Sequence, residues 1–436
     1  MWIVIVLALI LRLVLLNQSL WLDEASEALA LMGQSSSLFS YILADYQPPL
    51  YHVICYLFTH LLGYSEFVLR LPSLISGIFT VYFVIKIAEL IGNKKLGIIA
   101  GLLSATNPLL IYYSQEGRTY AMTTFFVTAS FYYFIKSLKF PSKSTIIHYS
   151  LFIILMIWTS YLSWFVLLAQ GLYVIWKKRY DLLLLQAVTT MTLLAWLPSF
   201  ITSLGIGQFT RELSPEWGKV VGGLSWKSLP LTWVKFNIGR ISFDNKILYG
   251  ALVTLIALLH LAILRLVNYR KYFVFLVWLI PPVILGLMTA SILPVFAYFR
   301  VLFVLPAYLL LLAIGSQKIS KVIILSNILF LIIFWFSPRY HRENWRQLSR
   351  DLPPNAVVAM PSRAQSTPLL YYSVTQLIIE PAKESISGST IYYIRYAEDL
   401  FDPTKLGQTN LMTSGYTITG ERSYSGIQVD IYENRN

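Results

Sequence analysis

Long apolar runs, separated by short polar ones, set the pattern of this chain. They lie at 1–20, 65–92, 96–114, 119–138, 145–160, 162–176, 181–204, 246–266, 272–291, 299–315 and 319–336. A helix needs about 20 mostly apolar residues to cross the hydrocarbon core, so the pattern predicts about eleven spans. Residues 48–62 are apolar too, but too short to cross comfortably, and they carry His52 and His60. They suit a helix lying in the bilayer interface. The first run has no small-residue cleavage site directly after it and reads as a retained span.

The loops test this reading. With 48–62 left out of the count, the loops at Asn93–Lys95, Lys136–Lys143, Lys177–Arg179, Arg265–Lys271 and Lys318–Lys321 share one side. Each is basic, as cytoplasmic loops are. Counting 48–62 as a crossing would put these lysines outside. Three outer segments remain: 21–62, the turn 115–118, and 205–245. The last holds Arg211, Glu212, Glu216, Lys219, Lys227, Lys235 and Arg240 among aromatics, and suits a substrate lid with a further interfacial helix.

After residue 336 the pattern changes. Short strand-like runs at 356–359, 375–379, 391–394 and 427–431 alternate with helix-like pieces such as 343–351. This predicts an α-helical polytopic membrane domain over 1–336 and a small soluble α/β domain over 337–436, placed outside. No repeat of 20–50 residues and no inverted halves are visible. Composition agrees: 56% of residues are hydrophobic and 13% charged, against about a quarter charged in soluble domains. The net charge of +13 sits in the loop clusters, so it faces anionic lipid headgroups and excludes nucleic acid as the expected partner. The single cysteine, Cys55, forms no internal disulfide and reads as a packing residue.

Four places carry candidate chemistry. Asp23 and Glu24 follow the first span, where each ion would cost about 2.5–3.5 kcal/mol if drawn into hydrocarbon. Ending the helix in water would equally explain them. Glu116 and Arg118 sit in a tight turn that Gly117 alone could make. Asp45-Tyr46-Gln47-Pro48-Pro49-Leu50-Tyr51 reads most simply as the start of the interfacial helix. Arg300 stands at an outer edge, where it can snorkel or bind a lipid phosphate. Together these put carboxylates and guanidinium groups at one membrane depth. Transfer of a sugar from a polyprenyl phosphate needs that inventory. The leaving phosphate needs cations and no proton donor, and the acceptor hydroxyl needs one base. No metal-ligand cluster stands out, although Asp23 and Glu116 could share a divalent cation.

The runs Ser19 to Ser26, Gln47-Pro48-Pro49-Leu50-Tyr51, Ser65 to Ser73 and Tyr112 to Tyr120 resemble the GT-C glycosyltransferases. The likeness is to the bacterial branch similar to dolichyl-phosphate-mannose protein mannosyltransferases and to the aminoarabinose transferase of lipid A. The motifs cover roughly the first 130 residues and are specific only in combination. Arg300 with Leu302 and Pro306 resembles a later Arg-Tyr-Leu-x-x-x-Pro run, with Val301 in place of Tyr. Glu343-Asn344-Trp345-Arg346 resembles a Trp-Arg motif that opens the outer domain.

The resemblance implies a GT-C fold in the bacterial plasma membrane and an inverting glycosyltransferase that uses a polyprenyl-phosphate sugar outside. It casts Asp23 as general base or acceptor-orienting carboxylate, with Glu24 beside it and Glu116 as the second-loop acid. Arg118 and Arg300 become phosphate ligands. Tyr51 and Tyr113, inside the motifs, count among the substrate-binding residues. Relatives often have Lys or His before the Pro-Pro pair. Gln47 carries no charge, which shifts donor binding toward Arg118, Arg300 or Arg211. The acceptor is a lipid, a glycan or a protein. The rival readings are a glycan ligase or polymerase with a diphosphate donor, and a lipid or sugar transporter. A transporter would place its ionisable groups at mid-membrane, where the charge is mainly Arg12.

Overall fold

A computed structural model describes residues 1–35, 37–213, 223–373, 377–382, 384 and 386–434, with backbone alone for 210–213. The helices begin with α1 (Trp2–Leu13), α2 (Leu22–Leu31), α3 (Leu38–Ala44), α4 (Leu50–Leu62), α5 (Glu66–Ile91), α6 (Lys94–Thr106) and α7 (Pro108–Ser114). Then come α8 (Thr119–Lys139), α9 (Lys143–Ile157), α10 (Ser163–Trp176), α11 (Tyr180–Thr190) and α12 (Leu197–Leu213). The later apolar runs form the helices Lys246–Leu264, Phe273–Ala290, Leu305–Gly315 and Gln317–Phe336. Every apolar run of the sequence is therefore helical.

Among the described residues, five helical stretches have the length and apolarity to cross a membrane: α5, Tyr180–Phe209, Lys246–Leu264, Phe273–Ala290 and Gln317–Phe336. The pair α6 and α7, bent by 62°, makes a sixth. Trp2–Leu13, Leu50–Leu62, Lys143–Ile157, Ser163–Trp176 and Leu302–Gly315 are apolar but shorter. The protein is an integral membrane protein.

The α6–α7 break explains a charge that the sequence leaves stranded. Asn107 caps α7, its Oδ1 accepting from the Leu109 and Leu110 N–H groups at 3.1 and 3.0 Å. Pro108 has no N–H, so the Ser104 carbonyl loses its helical donor. Arg12, fully buried, supplies donors instead: Nη2 to Ser104 O at 3.4 Å and Nη1 to Ala105 O at 3.2 Å. Its Nε donates to Ser114 Oγ at 3.1 Å. Gly77 permits this approach, since a Cβ there would collide with Ser114 and stand 3.0 Å from Arg12 Nε. Unsatisfied backbone groups cost several kcal/mol in lipid, of order that of ordering one arginine among them.

The chain divides into two compact units. The first comprises 1–16, 42–63 and 67–336; the second comprises 17–41, 64–66 and 337–436. The second unit therefore takes in α2, with Asp23 and Glu24, as well as the C-terminal residues.

Its sheet has β1 (Val357–Met360), β2 (Ile378–Pro381), β3 (Thr390–Arg395), β4 (Tyr416–Tyr424) and β5 (Ile427–Asn434), in the order β2-β1-β3-β5-β4. Strands β2, β1 and β3 run parallel, and β5 and β4 antiparallel. One core gathers Trp345, Leu348, Val358, Met360 and Ile394, and a second gathers Ala359, Ile391, Tyr393, Leu411 and Tyr432. Neighbouring residues of β1 and β3 alternate between the two cores, so both faces of these central strands are covered.

Candidate active site

In the first unit the turn between α7 and α8 meets the segment before α4. Arg118 Nη2 donates to Asp45 Oδ1 at 2.5 Å, and both side chains are 9% exposed. His52, buried on α4, places Nε2 3.5 Å from Asp45 Oδ2. Burial pushes the Asp45 carboxyl upward, but the Arg118 charge and His52 outweigh it and hold it below the ordinary carboxylate value. Arg118 is thus neutralised by a residue the sequence reading took only for part of a helix start.

The turn is braced from beneath. Ser73 Oγ donates to the Arg118 carbonyl at 3.2 Å and lies 3.5 Å from the Tyr51 hydroxyl. Tyr51 is fully buried. Gln115 Nε2 donates to the carbonyls of Arg12 and Val14 at 2.9 and 2.5 Å, tying the turn to the end of α1. Glu116 is buried, and its carbonyl accepts from the Arg118 N–H at 2.8 Å. Gln47 Oε1 is buried with no hydrogen-bond partner among the described residues. An amide end buried without a partner costs about 1–3 kcal/mol, so it is a natural place for a ligand group.

A second group of cations comes from the 205–245 segment. The helix Ser228–Ile238 ends in Gly239, whose φ of +73° turns the chain where a Cβ would stand 2.8 Å from Pro108. Asn107 Nδ2 donates to Phe236 O at 2.8 Å, docking this end on the start of α7. The result sets Arg240 over the Tyr112 ring, 4.8 Å from its centroid. Arg240 keeps solvent access while feeling the charge of Glu116. Lys235 lies within its field, and burial, with Arg240 adding, pushes the ammonium down to about 8. Neither cation has an ion-pair partner among the described residues.

Tyr113, buried, packs edge-on to Tyr112 and Tyr120 at 5.1 and 5.3 Å and lies 6.0 Å from Phe299. These rings bring the 294–300 loop to the Glu116 turn. In that loop Arg300 donates through Nη1 to Pro294 O at 3.0 Å. Arg211 lies on α12, and its side chain is outside the described residues.

In the second unit Asp23 and Glu24 share the first turn of α2, but their surroundings differ. Asp23 is partly exposed, whereas Glu24 is fully buried with its Oε2 3.6 Å from Arg342 Nη1. Among the described residues no three His, Cys, Asp or Glu side chains gather to hold a metal ion.

Residues 46–206 match the family model for dolichyl-phosphate-mannose-protein mannosyltransferases. Comparison with curated protein sequences finds no match. Among solved structures, ArnT from Cupriavidus metallidurans in the apo state matches with a TM-score of 0.55 at 11% identity, over 98% of this chain and 97% of that one. ArnT bound to undecaprenyl phosphate matches at 0.54 and 10%, with the same coverage. The oligosaccharyltransferase of Archaeoglobus fulgidus, tethered to an acceptor peptide, matches at 0.51 and 13%, over 97% of this chain and 73% of that one. This chain has the GT-C glycosyltransferase fold.

Three features of this protein escaped the sequence. Asp45 and His52 stood in a segment whose Pro-Pro pair already explained it. Arg240 and Lys235 stood among seven charges of one segment with nothing to rank them. The place of Arg240 directly past Gly239 was a usable signal, since a glycine at a helix end re-aims the next side chain. The third is an apolar groove of about 730 Å3 lined by Trp164, Leu168, Leu183, Leu194, Trp196 and Phe200 among others. Trp196 packs against Trp158 with ring centroids 6.3 Å apart, and the Trp158 carbonyl accepts the Leu50 N–H at 3.1 Å.

Proposed function

We propose that this protein transfers a sugar, with inversion, from a polyprenyl-phosphate donor to an acceptor at the outer face of the bacterial plasma membrane. The observation that carries this reading is the pair Lys235 and Arg240: Arg240 is open to solvent within the field of Glu116, Lys235 is half-buried within the field of Arg240, and neither is ion-paired among the described residues. A leaving phosphate gains charge as the glycosidic bond breaks, and cations fixed in place stabilise that charge without reorganising. Arg240 takes the phosphate, Lys235 adds a second charge, and the buried Oε1 of Gln47 accepts a hydrogen bond from a hydroxyl of the sugar. The isoprenoid tail occupies the groove along α10 and α11, whose wall is almost wholly apolar. ArnT bound to undecaprenyl phosphate lends support, because a protein of the same fold holds that lipid.

Asp23 is the proposed base. It is the carboxylate of its pair that solvent reaches, in the first turn of α2. It accepts the acceptor hydroxyl's proton as that oxygen attacks the anomeric carbon and the phosphate leaves. Arg300 and Glu116 shape the donor site, and Arg118 serves it through the Asp45 pair. The basic loops on one side support a site and C-terminal residues that lie outside the cell. Two cations also suit a diphosphate donor, which keeps the ligase reading as an alternative.

The test is transfer of labelled sugar in membranes supplied with either a polyprenyl-phosphate or a polyprenyl-diphosphate sugar. Asp23→Asn should abolish transfer while membrane insertion is kept. Arg240→Ala should raise the donor KM at least tenfold. Full activity of Asp23→Asn, or turnover of the diphosphate donor alone, would defeat the reading.

A further inference from the structure

The second compact unit joins the start of the chain to its end through a dense set of polar contacts. Arg342 accounts for two: its N–H donates to Gln18 Oε1 at 2.8 Å, and its guanidinium faces Glu24 at 3.6 Å. Arg346 accounts for more. Its N–H donates to Ser19 Oγ at 3.2 Å, and its Nη2 to Glu66 Oε1 at 2.5 Å. The Tyr372 hydroxyl donates to the same Glu66 oxygen at 2.9 Å and accepts from the Leu20 N–H at 2.8 Å. Ser26 Oγ and Thr367 Oγ1 lie 3.0 Å apart. Residues 18–26, which carry Asp23, are therefore held on both sides by C-terminal residues.

Glu24 is a poor candidate for chemistry in this setting. Its side chain has no solvent exposure and that of Arg342 only 5%. A carboxylate shut away beside a guanidinium has no path to an acceptor hydroxyl. Glu27, one turn later on α2, is also buried. The inward face of the helix is thus a pair of buried acids, and its first turn leaves Asp23 reachable.

We infer that Arg342 and Glu24 form a positioning pair: the C-terminal domain fixes the turn of α2 that presents Asp23, and so belongs to the transfer machinery. The inference rests on Asp23 as the base. A rigid first turn matters because misplacing a catalytic group by about 1 Å can cost on the order of a hundredfold in rate.

The test is steady-state transfer by the full-length protein, with folded protein quantified by size exclusion. Arg342→Gln should lower kcat at least tenfold and leave the donor KM within twofold, because the donor site is untouched. Arg342→Lys should recover most of the lost kcat. A purely structural role would reduce the amount of folded protein but leave kcat per folded molecule unchanged, and that result would overturn the inference. Arg342→Gln alone removes the guanidinium that faces the buried Glu24 and is liable to misfold. The double variant Glu24→Gln with Arg342→Gln removes both charges and keeps an amide contact. It should return kcat to within about fivefold of wild type, roughly 1 kcal/mol in barrier. A folded double variant as inactive as Asp23→Asn would make Glu24 a chemical group and overturn the positioning role. If Asp23→Asn itself transfers sugar, the base assignment fails whatever Arg342 does.

Discussion

Replacing Asp45 by Asn tests the architecture of the α7–α8 turn. Asp45 and Arg118 are 2.5 Å apart, each 9% exposed, so water screens the pair little. Removing one partner of a buried pair costs about 3–5 kcal/mol, because the other ion stays behind without compensation. Asn keeps an oxygen that can accept from Arg118 Nη2, so the loss belongs near the lower end, about 3 kcal/mol. Thermal unfolding in detergent should show a fall in Tm on the order of 5 °C at neutral pH.

The pH dependence makes the prediction sharper. The folded carboxyl of Asp45 lies below its ordinary value. Its contribution is therefore complete above the unfolded pKa, about 3.9, and is lost as pH falls through the folded pKa. Wild type should keep its advantage over Asp45→Asn from pH 7 to about 4, and the gap should close below that. A gap that is absent at pH 7, or that stays constant into the acid range, would show that the ion pair does not stabilise the turn.

The remaining predictions concern single groups. Arg12→Leu should lower stability by at least about 3 kcal/mol, because the carbonyls of Ser104 and Ala105 lose their donors in an apolar setting; an unchanged Tm would leave the α6–α7 break without its explanation. Arg118→Ala should cost stability more than donor affinity, whereas Arg240→Ala should do the reverse, and donor titrations beside melting curves separate the two. Gln47→Lys adds a cation at a buried amide position and should tighten donor binding, read as a lower donor KM. Lys235 is pushed down to about 8 by burial and Arg240, so the unfolded chain binds more protons between about pH 8 and 10.5. Stability without donor should rise across that window, and Lys235→Gln should flatten the rise.

The helical architecture was legible because hydropathy alone decides it: an apolar run in lipid must close its own backbone hydrogen bonds, and a helix does that locally. The strands at 357–360, 390–395 and 427–434 were legible for a similar reason, since their β-branched and aromatic residues alternate over short runs. What resisted reading is pairing at long range. Arg118 and Asp45 are 73 residues apart, and Arg12 and the Ala105 carbonyl 93. Each charge, taken alone, looks like a solvated loop residue or a snorkelling cation, and nothing local distinguishes them.

That difference decides which arginines can serve a phosphate. A sequence lists charges, but binding depends on the charge left over after the fold has matched them. Arg118 is matched by Asp45, Arg342 by Glu24 and Arg346 by Glu66, while Arg12 is absorbed by carbonyls and a hydroxyl. Each of these is well placed to hold a turn or a loop, and poorly placed to compete for a ligand, because releasing it would expose a buried acid or an orphaned carbonyl. Lys235 and Arg240 carry no such obligation among the described residues. Arg240 rests on an aromatic face, which holds a cation without neutralising it. Selection for anion binding favours that arrangement: a cation fixed in direction by a ring, with its charge still available to a phosphate.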